Sequence, residues 1–184
     1  MKRSGPHKTY KGVISPETLE NPSKYMGDIS NITYRSMWER HVMYWLDSNP
    51  NVKEWASEEV YFPYEHPITG NRAKYYPDFY VKMVDGVVRI LEIKPKKQTM
   101  RPEEPKRKTK NYINEVETWV TNQEKWKAAK FYCGRSNMQF EVWTEDTLSE
   151  MGIMKSPKLK TLNERKKVLK PRPVSTRPRP KRRS

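Results

Sequence analysis

The 184-residue sequence predicts a layered domain of the α/β (α+β) class, in which four strands are combined with three helices. Apolar residues recur every three or four positions at 33–50 and at 111–133, which is the period of a helix with one buried face. Runs of β-forming residues at 58–64, 72–84 and 86–94 lie between them. The predicted order is helix, three antiparallel strands, helix, strand and helix.

The first helix is expected to begin near Thr33 and to end at Asn49-Pro50, because proline disfavours a helical conformation of the preceding residue. Its apolar face consists of Met37, Trp38, His41, Val42, Trp45 and Leu46. The first strand, at 58–64, is followed by a turn at 66–71 that leads into the second strand.

The long helix at 111–133 is expected to turn a broad apolar side toward the strands. That side comprises Ile113, Val116, Trp119, Val120, Trp126, Ala129 and Phe131. A fourth strand follows at 138–144. The last helix is expected to begin after Thr144, a capping residue type followed by acids, and to stop at Gly152.

Three charged residues fall where the strand pattern is otherwise apolar: Asp78, Glu92 and Lys94. Glu92 and Lys94 share one face of the third strand, because alternate strand residues point the same way. A three-residue turn at 84–86 would place Asp78 directly opposite Glu92, whereas a two-residue turn without a bulge would move it to the other face. We predict an offset that brings Asp78 to Glu92, with Gly86 in the left-handed conformation.

Two opposed carboxylates about 5 Å apart repel each other strongly unless a cation lies between them. Oxygen ligands suit Mg²⁺, and Mn²⁺ accepts the same ligands. A nearby lysine can orient or deprotonate the attacking water and stabilise charge in the transition state. Asp78, Glu92 and Lys94 are therefore predicted to be catalytic residues of a metal-dependent phosphodiester hydrolase, with both carboxylates as metal ligands. The alternative is an exposed strand end with a solvated Glu–Lys pair.

Composition excludes several other classes of protein. Cys133 is the only cysteine, so neither a disulfide within the chain nor a cysteine-based zinc site can form. No apolar run approaches the roughly 20 residues that cross a bilayer, and the basic N-terminus has no apolar segment behind it. We therefore expect a soluble protein made in a cytoplasm, with no membrane partner.

Positive charge is concentrated near the carboxyl terminus. The net charge is +15, of which residues 155–184 contribute +12 through 13 Lys/Arg and one acid. This Pro/Arg-rich segment is predicted to be a tail that is disordered or ordered by a partner, either a polyanion such as nucleic acid or a neighbouring subunit. A solvated solubility tail is the alternative. Residues 1–30 are interpreted as an N-terminal arm that takes its order from the domain or a partner, which leaves 31–154 as the domain.

A basic loop at 95–110 lies between the third strand and the long helix. It is expected either to contact the DNA backbone or to be mobile and solvated. The loop residues predicted to bind DNA are Lys96, Lys97, Arg101, Lys106, Arg107, Lys108 and Lys110. On the long helix, Asn122, Gln123 and Lys125 either face DNA phosphates or, in the interpretation that we favour, form the solvated side of the helix.

The string Pro77-Asp78 … Glu92-Ile93-Lys94 resembles the signature of the PD-(D/E)xK nucleases, and the order of elements resembles their αβββαβ core. In that superfamily a glutamate on the first helix often adds to the metal site, and Glu39 is the matching position. The resemblance therefore implies that Glu39 is a catalytic residue and a third metal ligand. Its alternative is a surface acid near Arg35 or Arg40.

Longer stretches between Pro22 and Gly152, among them "EIKPKK" and "NEVETWVTNQEKWKAAKFYC", resemble the head-completion nuclease family of T-even-type tailed phages. This resemblance implies a virion assembly protein that acts at the portal vertex after DNA packaging and trims or repairs DNA ends. The expected partners are double-stranded DNA and portal, neck or head-completion proteins, with ring placement at the vertex. The expected location is the head–tail neck of the virion, and the host cytoplasm during assembly.

Two other functions stay open. The protein could be a structural neck component that uses the nuclease fold as a scaffold, or a DNA-end-binding module with an inactive site. The intact Asp78, Glu92 and Lys94 favour retained chemistry. The arm and the basic tail favour stable incorporation into a particle.

Overall fold

A computed structural model describes residues 11–154. The predicted tail at 155–184 and the start of the predicted arm lie outside these residues. Within them, no helix is both long enough and apolar enough to cross a membrane. The strands and helices are, in chain order, β1 Gly12–Ile14, β2 Ile32–Tyr34, α1 Met37–Ser48, β3 Val52–Ser57, β4 Phe62–Glu65, β5 Arg72–Tyr75, β6 Phe79–Met83, β7 Val88–Ile93, α2 Lys96–Thr99, α3 Lys110–Arg135, β8 Met138–Trp143 and α4 Glu145–Glu150.

Four strands form the central sheet in the order β3–β6–β7–β8. The β3–β6 and β6–β7 pairs are antiparallel, whereas β8 runs parallel to β7 after the crossover through α3. The remaining strands form two separate antiparallel pairs, β1–β2 and the β4–β5 hairpin. β7 therefore lies between β6 and β8 in the interior of the sheet.

Both faces of this sheet are covered. One face packs against α1 and α4, in a core that includes Val42 and Leu91. The other packs against α3 and the β4–β5 hairpin, in a core that includes Ile90 and Trp126. Because adjacent strand residues point to opposite faces, Ile90 and Leu91 of β7 enter different layers. Glu92, two residues after Ile90, lies on the α3 side.

The predicted order of elements is confirmed by α1, β3, β6, β7, α3, β8 and α4. The hydroxyl of Ser36 accepts a hydrogen bond from the backbone N–H of Glu39 and so caps α1. Thr144 and Thr147 form a capping box at the start of α4, and Gly152 follows this helix with a φ of 70°. The helix boundaries that the sequence indicates through capping residues are therefore close to those observed.

The turn between β6 and β7 has the predicted three-residue form. The backbone N–H of Met83 donates to the carbonyl of Val87 at 2.8 Å, and Gly86 has a φ of 87°. Phe79 pairs with Leu91 in the ladder that follows. One step further in the same register, Asp78 lies opposite Glu92, as predicted.

The predicted strand at 58–64 is wrong in its bounds. The first strand of the central sheet is instead β3, in which Val52 and Trp55 are buried. Glu58 has a φ of 56° and ends this strand, because L-residues rarely hold that conformation within a sheet. The aromatic residues that follow Glu58 belong to the β4–β5 hairpin.

The predicted second strand, at 72–84, is two strands. β5 pairs with β4, and β6 pairs with β3 and β7. The break falls at 76–78, where Pro77 has no N–H to donate to a ladder. This division inserts the β4–β5 hairpin between two strands of the central sheet and places it over α3.

The long helix α3 buries fewer residues than its sequence predicts. The sequence pattern places Ile113 and Phe131 on its apolar side, but they are 48% and 57% exposed, so the prediction is wrong for both residues. Phe131 lies about 200° around the helix from Cys133, which is buried. The buried residues, at spacings of four, three and four, are Asn122, Trp126, Ala129 and Cys133. The first turns of α3 therefore contribute little to the core.

The described part of the predicted arm packs onto the domain. Tyr25 is buried, with its ring edge-on to Trp55 at a centroid distance of 4.6 Å. Asp47, near the end of α1, is only 1% exposed. Its carboxylate accepts hydrogen bonds from the backbone N–H groups of Glu20 at 2.6 Å and Asn21 at 3.1 Å. Packing onto the domain, one of the two expected sources of order, thus fixes this segment.

Candidate active site

The candidate site lies at the carboxyl ends of the parallel strands β7 and β8, where β6 begins. Asp78 directly precedes β6. Glu92 is the second-to-last residue of β7, and Lys94 directly follows β7. The β6–β7 register sets Asp78 against Glu92. The structure therefore brings together the three residues that the sequence pattern singled out.

Glu92 is buried, with 4% of its surface exposed, and both of its carboxylate oxygens have partners. Oε1 lies 2.8 Å from the ammonium nitrogen of Lys94. Oε2 accepts a hydrogen bond from the hydroxyl of Tyr75 at 2.8 Å. A buried charge is costly unless it is paired in this way. The alternative of an exposed strand end with a solvated Glu–Lys pair is therefore wrong.

Asp78 is held on the other side of the pair. Its Oδ2 accepts a hydrogen bond from the backbone N–H of Ile93 at 2.6 Å. Burial and the neighbouring charge of Glu92 raise the pKa of Asp78 to about 8, against the opposing effects of Lys94 and of this hydrogen bond. Burial and the adjacent Glu92 therefore favour the protonated form of Asp78.

Lys94 supplies the positive charge nearest to the two carboxylates. Burial lowers the pKa of Lys94, but the charges of Glu92 and Asp78 outweigh burial and hold it above its usual value. The side chain is therefore an ammonium in contact with Glu92. Of the two roles that the sequence allowed, stabilising negative charge fits this state better than removing a proton from water.

Glu39 lies at the margin of the site, in the first turn of α1. One of its oxygens accepts from the hydroxyl of Ser36 at 2.8 Å, and the other accepts from the backbone N–H of Arg35 at 2.7 Å. Its charge contributes to the raised pKa of Asp78 and of Lys94, so it lies within electrostatic reach of both. Over residues 11–154, no group of three or more acidic, His or Cys side chains is close enough to hold a metal ion. Metal binding by Glu39 stays a prediction.

α3 contributes side chains that the sequence interpretation assigned to solvent. Asn122 is buried, and Lys125 is half-buried with its nitrogen 5.9 Å from the ring centre of Tyr64 and 5.8 Å from that of Tyr75. Burial lowers the pKa of Lys125, against the opposing effect of Glu92. The solvated-side interpretation is wrong for these two residues, since Asn122 is buried and Lys125 packs against Tyr64 and Tyr75 of the β4–β5 hairpin.

The predicted basic loop begins with the short helix α2 and is exposed along most of its length. Three of its side chains pair with acids: Lys96 with Asp146 at 2.6 Å, Lys97 with Glu115 at 2.8 Å and Lys108 with Glu104 at 3.2 Å. The other predicted DNA-binding residues of the loop are also exposed: Arg101, Lys106, Arg107 and Lys110. Exposed ion pairs are weak, so these lysines are available to an anionic partner.

Tyr75 is the site residue that sequence analysis missed. Burial and the charge of Glu92 hold the pKa of the Tyr75 hydroxyl far above its ordinary value, so it keeps its proton and donates to Glu92. The one indication in the sequence is the tyrosine itself, because the hydroxyl of a buried tyrosine usually has a hydrogen-bond partner. The sequence does not identify that partner, because the contact forms only when the hairpin folds over the end of β7.

Comparison with known proteins agrees with this architecture. Residues 49–145 match the family of TnsA-like endonuclease N-terminal domains, which are of the PD-(D/E)xK type. The chain is also 40% identical over 148 residues to the head completion nuclease of Enterobacteria phage T4, a match that covers 78% of this chain and 97% of that protein. The chain belongs to the head completion nuclease family. The family and the PD-(D/E)xK fold implied by the sequence resemblance are thereby confirmed.

The endonuclease match covers β3 through β8. It therefore contains Asp78, Glu92 and Lys94 together with Tyr75, whereas Glu39 on α1 lies before it. In this member of the head completion nuclease family, the paired carboxylates and their lysine thus lie within the region that matches endonucleases.

Proposed function

We propose that this protein is a metal-dependent DNA endonuclease that trims or processes DNA ends at the portal vertex after packaging. The observation that carries the proposal is the alignment of Asp78 with Glu92 across β6 and β7, with Lys94 against Glu92. Membership of the head completion nuclease family supports the same chemistry and the same stage of assembly. The product would be a head whose DNA end is ready for closure.

The donor set fits a hard divalent cation. Asp78 and Glu92 offer carboxylate oxygens, which Mg²⁺ prefers and Mn²⁺ also accepts. Burial and the charge of Glu92 raise the pKa of Asp78 to about 8, and a cation bound between the two carboxyl groups would favour the ionised form of both. We therefore propose that Asp78 and Glu92 hold the ion, with Glu39 as a third ligand once it leaves its helix cap. When bound, the ion supplies a water of lowered pKa and stabilises negative charge on phosphate.

Lys94 is placed to stabilise the transition state. Phosphodiester hydrolysis increases negative charge on the phosphate oxygens, and an ammonium fixed in advance stabilises that charge without reorganisation. The contact at 2.8 Å with Glu92 fixes the Lys94 side chain at this point of the site. Lys125, half-buried on α3, adds a second positive charge on the same side of the sheet.

The basic loop is proposed to hold the backbone of double-stranded DNA. It follows Lys94 directly and carries seven predicted DNA-binding residues, all of them exposed. Its ion pairs can be exchanged for contacts with phosphate, because solvent screens exposed pairs and leaves them weak. Phosphate contacts carry no sequence information, so cutting is expected without a fixed recognition sequence.

A structural role without cleavage is the second candidate, and two observations favour it. Both oxygens of Glu92 are already bonded within the protein, and Glu39 is held by its helix cap. In the described part of the chain, no three-residue metal-binding group is assembled. In this role the nuclease fold would be a neck scaffold that binds DNA and portal or neck proteins.

Head completion in vitro separates the two functions. Filled heads prepared without this protein are mixed with tails and with purified protein, and infectious particles are counted. We expect the intact protein to restore particles and Glu92→Gln to restore at most a few per cent, because the variant lacks a metal ligand. Glu54→Gln is the control, because it removes only the ion pair between Glu54 of β3 and Lys82 of β6. This variant should restore infectious particles fully. Full restoration by Glu92→Gln would assign the protein to the scaffold role.

A further inference from the structure

We infer that Tyr75 is a positioning residue that orients the carboxylate of Glu92 for metal binding, so that the β4–β5 hairpin is part of the machinery of the site. The inference rests on the metal-dependent cleavage proposed above. The hairpin is an insertion between β3 and β6 and contributes no strand to the central sheet. The hairpin contacts the paired carboxylates directly through the hydroxyl of Tyr75, which donates a hydrogen bond to Glu92.

The contact between Tyr75 and Glu92 is buried at both ends. Tyr75 is 3% exposed and Glu92 is 4% exposed, and their hydrogen bond is 2.8 Å long. Since Lys94 occupies the other oxygen of Glu92, the two contacts together fix the plane of the carboxylate. With Lys94 alone, the carboxylate could rotate about its terminal bond. Hydrogen-bond partners of ligating carboxylates commonly set metal affinity in this way.

Packing fixes the position of the Tyr75 ring. It lies 6.5 Å from the ring of Phe62 on β4, and the Phe62 ring stacks on Tyr132 of α3 at 5.9 Å. The nitrogen of Lys125, also on α3, lies 5.8 Å from the Tyr75 ring. The hydroxyl is therefore held by a strand and a helix and does not depend on a loop.

A purely structural tyrosine would behave differently from a positioning one. If the hydroxyl only satisfied a buried acceptor, its removal would lower stability and would leave the affinity of the site for metal unchanged. If it orients Glu92, its removal weakens metal binding, while the lysine and the opposing carboxylate stay in place. Metal affinity is therefore the quantity that separates the two roles.

The test is Mn²⁺ binding measured by calorimetry on the full chain, with Tyr75→Phe compared with the intact protein. Phenylalanine keeps the ring and its packing and removes only the hydroxyl. We expect the Kd for Mn²⁺ to rise about 10- to 100-fold. In cleavage assays titrated with Mg²⁺, the half-saturating concentration should rise by a similar factor, with most of the maximal rate recovered at saturating metal. General damage to the fold would instead lower the rate at every metal concentration.

Tyr25→Phe is the matched control. It also removes the hydroxyl of a buried tyrosine, but that hydroxyl shares its hydrogen bond of 2.9 Å with Ser57 of β3 and not with a carboxylate of the site. Its Kd for Mn²⁺ should equal that of the intact protein. An unchanged Kd in Tyr75→Phe overturns the positioning role and leaves the proposed function standing. Absence of Mn²⁺ binding by the intact protein overturns the proposed function and this inference with it.

Discussion

Replacing Lys94 with alanine is expected to lower the rate of DNA cleavage by about 1,000-fold at saturating Mg²⁺. Lys94 is the ammonium in direct contact with Glu92, at 2.8 Å, and it lies beside the point where Asp78 meets Glu92. Its loss removes fixed positive charge from the place where the transition state gains negative charge. Single-turnover cleavage of circular double-stranded DNA measures the rate without a contribution from product release.

Measuring the Kd for Mn²⁺ shows whether Lys94→Ala is slow because it lacks the ammonium or because it no longer binds metal. Lys94 is not a proposed metal ligand, and removing its positive charge offsets the loss of its contact with Glu92, so Lys94→Ala should still bind Mn²⁺. Lys82→Ala is the control, because it breaks the ion pair between Glu54 and Lys82, a lysine on β6. That variant should cleave at the normal rate. A cleavage rate for Lys94→Ala within threefold of the intact rate would contradict the assigned role.

Replacing Asp47 with alanine is expected to lower the free energy of unfolding by about 2–4 kcal/mol. The carboxylate of Asp47 is buried and accepts the backbone N–H groups of Glu20 and Asn21, which lose their acceptor in the variant. Urea denaturation measures the change. Hydrogen exchange at these two N–H groups should also become faster, because the segment that they anchor loosens from α1.

Asp85→Ala is the matched control for this stability effect. Asp85 also accepts a backbone hydrogen bond, from Val87 at 2.9 Å, but it lies in an exposed turn. Water replaces the lost acceptor there, so the expected change is below about 1 kcal/mol. Equal losses in the two variants would show that burial does not determine the contribution of Asp47.

The candidate site was predictable from the sequence because its geometry depends on one turn. Gly86 allows the left-handed conformation, and a three-residue turn then sets Asp78 against Glu92. Strand alternation puts Lys94 on the same face as Glu92. These local rules involve residues close together in the chain, so distant packing does not have to be known.

The role of the hairpin could not be predicted, because it depends on distant contacts. The aromatic residues within 58–64 are typical of a central strand. The left-handed conformation of Glu58 instead ends β3, and Phe62 packs on α3. The hairpin then covers Lys125, whose charge suggests an exposed helix face. Tyr75 meets Glu92 for the same reason. Each of these contacts joins segments whose relation is fixed only when the hairpin docks on α3.

The nuclease site is tested most directly by cleavage of circular double-stranded DNA by the intact protein and by Glu92→Gln, with Mg²⁺ or Mn²⁺ and with a chelator. We predict nicking and linearisation by the intact protein only when metal is present. Glu92→Gln should unfold as cooperatively as the intact protein and cut at least about 1,000-fold more slowly. Equal cutting by Glu92→Gln, cutting in chelator, or DNA binding without cutting under either metal would contradict the proposal that Asp78, Glu92 and Lys94 form a working nuclease site.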